Sequence, residues 1–340
     1  MPVRLLHPAV EVADSLLRGV GQVMFQNNPI TGLLFLVGIF INSYTYGVTA
    51  LLGLAVATLA AYLLGADRTL IRNGLFGFNG VLLGITLSVF LEWEWHVAVY
   101  IILGAIVSTI VMMALAKLFV SWDMAPLTAP FVLTAWLLLF ALYQFGHLHP
   151  TKLIHPMLMH PGAVIQTDLQ EATGGNAAVG WTATNLANAW FRGVGEVFLQ
   201  DNVWTGVIFA IAILVNSRIS LGFALLGSAL GGLTALALGG DGVTIYHGLY
   251  GFNAVLTGVA LGGLFLVLNW RSTIYALMGA IFSAIVFAAI AVALSPIGMP
   301  ALTAPFVLTT WVFLLPTAGF RALRRISVAE VRTPELTRAK

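Results

Sequence analysis

The sequence predicts an all-α integral membrane protein built from two inverted repeats, each of five transmembrane helices plus one half-membrane re-entrant helix. Three observations lead there. Of the 340 residues, 59% are hydrophobic and only 8% are charged, against about 25% charged in an ordinary soluble domain. Apolar stretches of about 18 residues or more recur between short polar breaks, as membrane-crossing helices require, without the short alternating strands of a barrel. Three motifs also appear twice, in the same order, which marks a duplication of the whole domain.

The first motif, Arg18-Gly-Val-Gly-Gln22-Val-Met-Phe-Gln-Asn27, returns as Arg192-Gly-Val-Gly-Glu196-Val-Phe-Leu-Gln-Asp201. The second, Gly74-Leu-Phe-Gly-Phe78-Asn-Gly-Val-Leu82, returns as Gly248-Leu-Tyr-Gly-Phe252-Asn-Ala-Val-Leu256, also 174 residues later. The third, Leu127-Thr128-Ala-Pro130-Phe131-Val-Leu-Thr134, returns 175 residues later from Leu302 to Thr309, and Trp136 and Trp311 follow the two copies. A threonine beside a proline, ahead of an apolar run, reads as a helix start. Thr128 or Thr303 caps it with a side-chain oxygen, and the proline's missing N–H has no intrahelical partner to lose.

In chain order, residues 8–27 carry Glu11, Asp14, Arg18, Gln22 and Gln26. They are too polar to cross lipid and suit a short helix that enters partway. Spans are expected near 30–46, 48–64, 73–91, 97–119 and 126–145, so residues 1–145 form the first repeat. Residues 146–180 hold His147, His149, His155, His160, Lys152, Asp168 and Glu171 among glycine and proline, as a linker does. Residues 181–320 repeat the plan, with a half-helix near 182–201 and spans near 203–217, 219–239, 247–268, 273–294 and 301–320. Five crossings is an odd number, so the second copy enters from the opposite face, about a two-fold axis in the membrane plane.

The tail, 321–340, carries Arg321, Arg324, Arg325, Arg332, Arg338 and Lys340 against Glu330 and Glu335, which places the C-terminus in the cytoplasm. Ten crossings return the N-terminus, with Arg4 and Arg18, to the same side and leave the linker extracytoplasmic. Met1–Asp14 contains no apolar core segment, so no cleavable signal peptide is expected. Cysteine is absent, which excludes disulfides.

Inverted repeats with half-helices place their site at the bilayer midplane, so polar residues found twice in apolar surroundings are the candidates. Gln22 and Glu196 are equivalent, one neutral and one acidic. Either they accept N–H bonds from a neutral polar solute, or each ties down its own half-helix by bonding a neighbouring backbone group. Thr128 and Thr303 offer hydroxyls to a passing solute or act purely as caps. Phe25, Phe78 and Phe252 either pack in the core or face each other across a slot that admits flat molecules. His7, His247 and the linker histidines lack metal-ligand spacing, and no cofactor site, phosphate loop or nucleic-acid surface is evident. Acidic residues are nearly absent from the spans apart from Glu196, which favours passive flow over ion coupling.

These paired motifs resemble the urea channel family of bacteria and animals, here of bacterial type, whose signature ends in Thr-x-Pro-Phe in each half. That ending is complete at Thr128–Phe131 and Thr303–Phe306, with a looser start to each signature, and the resemblance extends from Arg18 to about Phe320. It implies a homotrimer in the bacterial inner membrane, surrounded by lipid, with a separate pore through each protomer. It also implies two outer urea sites around a narrower middle one. By motif, one outer site is Gln22 with Phe25 and Phe252, the other Glu196 with Phe78, and Val23 and Val197 line them. Thr128, Thr303, Leu82 and Leu256 form the constriction. The phenylalanine expected three residues after Glu196 is Leu199, so that rung is aliphatic or its ring comes from Phe198. The function expected is a passive urea channel and not an enzyme. The alternative is a coupled or alternating-access transporter of another small amide or of ammonia.

Overall fold

A computed structural model describes residues 8–154 and 180–337, and among these it is all helix, with no strand. The expectations for His7, His155, His160, Asp168, Glu171, Arg4, Arg338 and Lys340 concern residues outside the described ones. The first half runs α1 Pro8–Gln22, α2 Pro29–Asn42, α3 Tyr44–Leu63, α4 Arg68–Arg72, α5 Gly77–Phe90, α6 Trp95–Phe119 and α7 Ala129–Ala141. The second runs α8 Ala183–Gly195, α9 Val203–Asn216, α10 Arg218–Ala237, α11 Gly242–Tyr246, α12 Phe252–Val259, α13 Trp270–Leu294 and α14 Ala304–Leu314. A short helix, α15 Pro334–Thr337, lies in the tail.

The order of elements repeats, but their lengths differ from ten full spans. Among the described residues, four helical stretches are long and apolar enough to cross a membrane, namely Tyr44–Leu63, Trp95–Trp122, Arg218–Ala237 and Trp270–Ile297. The α8 and α9 segments meet at a 72° bend and together make one broken span or re-entrant loop. Helices α2, α5 and α9 have 14 residues each, about 21 Å at 1.5 Å per residue, short of the roughly 30 Å hydrocarbon core.

Specific residues set those breaks. Ser43 is extended (φ −154°) and its hydroxyl caps α3 through Tyr46 N–H, so the first two expected spans part at residue 43. Gly74 and Gly248, at φ +73° and +77°, separate α4 from α5 and α11 from α12. The expected span 247–268 breaks again at Gly262 and Gly263, inside a π turn over Ala260–Leu264. Irregular backbone at such depth is tolerated where protein buries it or a cavity adjoins it. All eight residues of α12 and all but one of α5 are buried. Close approach requires glycine there: a Cβ on Gly80 of α5 would lie 2.2 Å from the Gly53 carbonyl oxygen of α3.

Hydrogen bonds between the halves come in reciprocal pairs. Thr31 Oγ1 donates to Ala212 O (2.8 Å), and its counterpart Thr205 donates to Gly38 O (3.0 Å). Trp136 Nε1 donates to Pro300 O (2.9 Å), and Trp311 Nε1 to Ala125 O (3.0 Å). Asn42 Nδ2 reaches Gln200 Oε1 (2.9 Å), as Asn216 Nδ2 reaches Gln26 Oε1 (2.8 Å). A two-fold contact produces this pattern, residue i meeting j and j's copy meeting i's.

Candidate functional site

Each half-helix ends at its candidate polar residue for a local reason. Past Gln22 the chain turns through Phe25 at φ 62°, and past Glu196 it turns through Leu199 at φ 56°. The left-handed region is unusual for such side chains and is held only where surroundings over-determine it. Here the hold is explicit: Gln26 Nε2 donates to Met24 O (2.6 Å) and Gln200 Nε2 to Phe198 O (2.5 Å), while the asparagine of the opposite half bonds each glutamine oxygen.

The two equivalent residues then behave differently. Gln22 Nε2 donates to Asn73 O (2.8 Å), which ties its half-helix to the turn before α5 and leaves its oxygen free to accept. Glu196 is 9% exposed and makes no hydrogen bond through its side chain to any described residue. It lines a cavity of about 300 Å³. Val197 and Leu199 line it from the same turn, Phe252 and Phe287 from the second half, and Tyr46, Phe90 and Phe131 from the first. The wall continues through Ala301 and Leu302 to Thr303.

Thr303 Oγ1, on the cavity wall, lies 2.7 Å from Thr128 Oγ1, and each threonine is 3% exposed. The expected capping does not occur, since neither threonine side chain bonds its own helix start. Leu127 and Leu302, at φ 55° and 50°, set the turns that carry the two threonines. Asparagine takes over the helix start: Asn79 Oδ1 accepts from Phe131 N–H (3.2 Å) and Asn253 Oδ1 from Phe306 N–H (3.0 Å). Pro130 and Pro305 do sit in the first turns.

Of the candidate set, the cavity gathers Glu196, Val197, Leu199, Phe252 and Thr303. Phe252 thus lies with Glu196, where the motif argument grouped it with Gln22. Val23, Leu82 and Leu256 are fully enclosed, at 1%, 0% and 0% exposure, and Phe78 is buried at 6%. Phe25 meets Phe265 and Phe306 edge-on, with ring centroids 6.0 and 5.9 Å apart. Phe198 is fully buried against Phe35 and Phe209, at 5.2 and 4.9 Å, and does not line the cavity.

Two cavity residues went unrecognised as site residues in the sequence. His247 Nδ1 lies 2.5 Å from Asp201 Oδ2, and Arg192 Nε lies 3.2 Å from Asp201 Oδ1. Asp201 and His247 both line the cavity. Their counterparts at the 174-residue offset are Asn27 and Asn73, which bond each other at 3.3 Å. One end of the chain's repeat therefore carries Gln22, Asn27 and Asn73, and the other carries Glu196, Asp201 and His247. Comparing the two copies position by position is the signal that finds them. The linker histidine His149 bonds Glu94 at 3.0 Å, with His96 3.6 Å from the other carboxylate oxygen. That hydrogen bond to His149 holds the Glu94 carboxyl below its usual range.

A multi-pass helical bundle with a buried carboxylate on a cavity wall and two hydroxyls meeting between its halves is the architecture of a membrane transporter or channel for a small polar solute. A family profile described as "Urea transporter" matches residues 13–318, and the chain belongs to that family. Among its relatives, urea transporter 1 of Ovis aries is 33% identical over 333 residues, which cover 97% of this chain and 83% of the sheep protein. Urea transporter 1 of Rattus norvegicus is 33% identical over 332 residues, with the same coverage.

Proposed function

We propose that the chain is a passive urea channel, a transporter and not an enzyme, and that urea binds in the Glu196 cavity. The observation that carries this reading is the Glu196 carboxylate, buried among apolar and aromatic side chains and bonded to no described residue. A buried acceptor without a partner is costly, so a passing donor that replaces water gains what the protein leaves unmade. Urea is flat and neutral, with two NH₂ groups that donate and one carbonyl that accepts. Glu196 accepts from the NH₂ groups, Phe252 and its aromatic neighbours cover the faces, and Thr303 leads on to the constriction with Thr128. Gln22, with its oxygen unoccupied, serves the other end beside Phe25, while Val23, Phe78, Leu82 and Leu256 act as packing around the path. Each site holds urea shallowly, since conduction requires release as well as entry.

In the same reading, residues 1–145 and 181–320 are inverted repeats about an axis in the membrane plane, and the reciprocal hydrogen bonds support this. Residues 146–180 are the extracytoplasmic linker. Residues 321–340 are the basic tail, which with the N-terminus lies in the cytoplasm of a bacterium whose inner membrane holds the protein as a homotrimer. Native mass spectrometry in detergent tests the trimer, and monomer alone would remove it.

The site is tested by urea flux into liposomes at matched protein density. Glu196→Ala is expected to slow flux well below that of Ser121→Ala, an exposed position away from the cavity. Equal flux from the two variants would remove Glu196 from the site. Proton-dependent, saturable uptake would favour a coupled transporter.

A further inference from the structure

Leu199 and Phe25 occupy equivalent left-handed positions, so their side chains leave the backbone in the same way at the two ends of the repeat. The ring of Phe25 fills the space against Phe265 and Phe306. The counterparts of those two rings, Phe90 and Phe131, both line the Glu196 cavity together with Leu199. A place that an aromatic ring fills at one end is open at the other.

The charge of that open space is equally specific. Asp201 is matched by Arg192 at 3.2 Å and approached by His247 at 2.5 Å, whereas Glu196 makes no hydrogen bond or close ion pair through its side chain with any described residue and feels Arg192 only through space. One carboxylate is left without a hydrogen-bonded partner beside one vacant ring position. A cavity of about 300 Å³ is at the small end of the range that holds organic ligands.

We propose that the Glu196 cavity is a binding site for a planar monocation carrying one aromatic ring, an arylamidinium, which occludes the path from that end. The ring takes the place facing Phe90 and Phe131 that Leu199 leaves open. The amidinium presents two N–H groups to the Glu196 carboxylate in the paired geometry that planar cations make with carboxylates. The ligand, bulkier than urea, does not follow urea past the point where Thr128 and Thr303 meet. The Gln22 end offers neither feature, with a ring already in place and a neutral amide. This inference rests on the cavity being the urea site.

Benzamidine at millimolar concentration is the probe, added to proteoliposomes during urea efflux near pH 8. The expected result is block of urea flux in the unmodified chain. The half-blocking concentration should rise about ten-fold or more in Glu196→Gln, which loses the charge, as expected for a lost charge-assisted hydrogen bond. It should rise likewise in Leu199→Phe, which fills the space, and benzamide, the neutral analogue, should block more weakly than benzamidine. Each variant is scored against its own unblocked flux. Titration calorimetry of benzamidine into the detergent-solubilised unmodified chain, with excess urea as competitor, supplies a reading that needs no variant. Urea flux that benzamidine leaves untouched, or equal block in all three chains, would overturn the inference while the urea reading stands. Absence of urea flux from the unmodified chain would overturn the urea reading itself.

Discussion

Replacing Thr303 with valine keeps the shape of the side chain and removes its hydroxyl. Thr128 Oγ1 then loses a partner at 2.7 Å in a site where it is 3% exposed. Leaving a buried hydroxyl unsatisfied costs about 1–3 kcal/mol, whereas removing both members of a buried pair is nearly neutral. Thermal stability should therefore fall in Thr128→Val and in Thr303→Val and recover in the double variant. The coupling between contacting residues should be about 1–2 kcal/mol, inside the range such cycles give. Flux should move the other way. If the hydroxyls stand in for water as urea crosses, loss of one raises the barrier by about 1.4 kcal/mol, near ten-fold in rate. Loss of both should slow flux further, although the protein is more stable. The assays are thermal unfolding in detergent and stopped-flow urea flux on the same four proteins. Flux that recovers along with stability in the double variant would refute the reasoning and make the pair purely structural.

Two further predictions concern the scaffold. In Gly80→Val the new Cβ lies 2.2 Å from the Gly53 carbonyl oxygen, so α5 and α3 must separate, and folded protein on size-exclusion chromatography should be lost. Gly222→Ala, with nothing within 4 Å of its added Cβ, should leave the elution profile unchanged. In the tail, burial tends to raise the pKa of Glu335, but hydrogen bonds outweigh it and hold the carboxyl below its ordinary 4.5. The Ile219 N–H donates at 3.1 Å and the Ser217 hydroxyl at 2.9 Å. A lowered folded-state pKa gives stability that is fully present above pH 4.5 and lost as pH falls through the lower folded value. Thermal unfolding followed through that acid window should show a step that Glu335→Gln removes; identical curves would leave the tail clamp without a role in stability.

The membrane class and the double copy were legible because apolar length and self-similarity are properties of the chain itself. The break at Ser43 falls within four residues of the boundary expected between 30–46 and 48–64, and the serine's cap on Tyr46 N–H sets its place. Helix lengths were less legible. The Leu-Gly-Gly-Leu stretch ending at Leu264 is as apolar as the helix before it, and only packing, with Pro334 beside Gly263, shows the backbone leaving the helix there. Capping was one of two readings open for Thr128 and Thr303 because it is local, whereas their hydrogen bond to each other spans 175 residues. The same distance hid Asn79 and Asn253, although both stand inside repeated motifs. The sequence of the first copy points to the third residue after the polar one, and Leu199, not Phe198, takes the left-handed turn that Phe25 takes in the first copy.

Passive conduction through the Glu196 cavity is tested most directly by stopped-flow light scattering of proteoliposomes under an inward urea gradient. The flux is measured with proton and sodium gradients present and again after both are collapsed. The account predicts fast entry set by the urea gradient alone, identical in the two conditions and slowed by Glu196→Ala. Entry that stops when the ion gradients are collapsed, or that matches empty liposomes although the protein is folded, would contradict it.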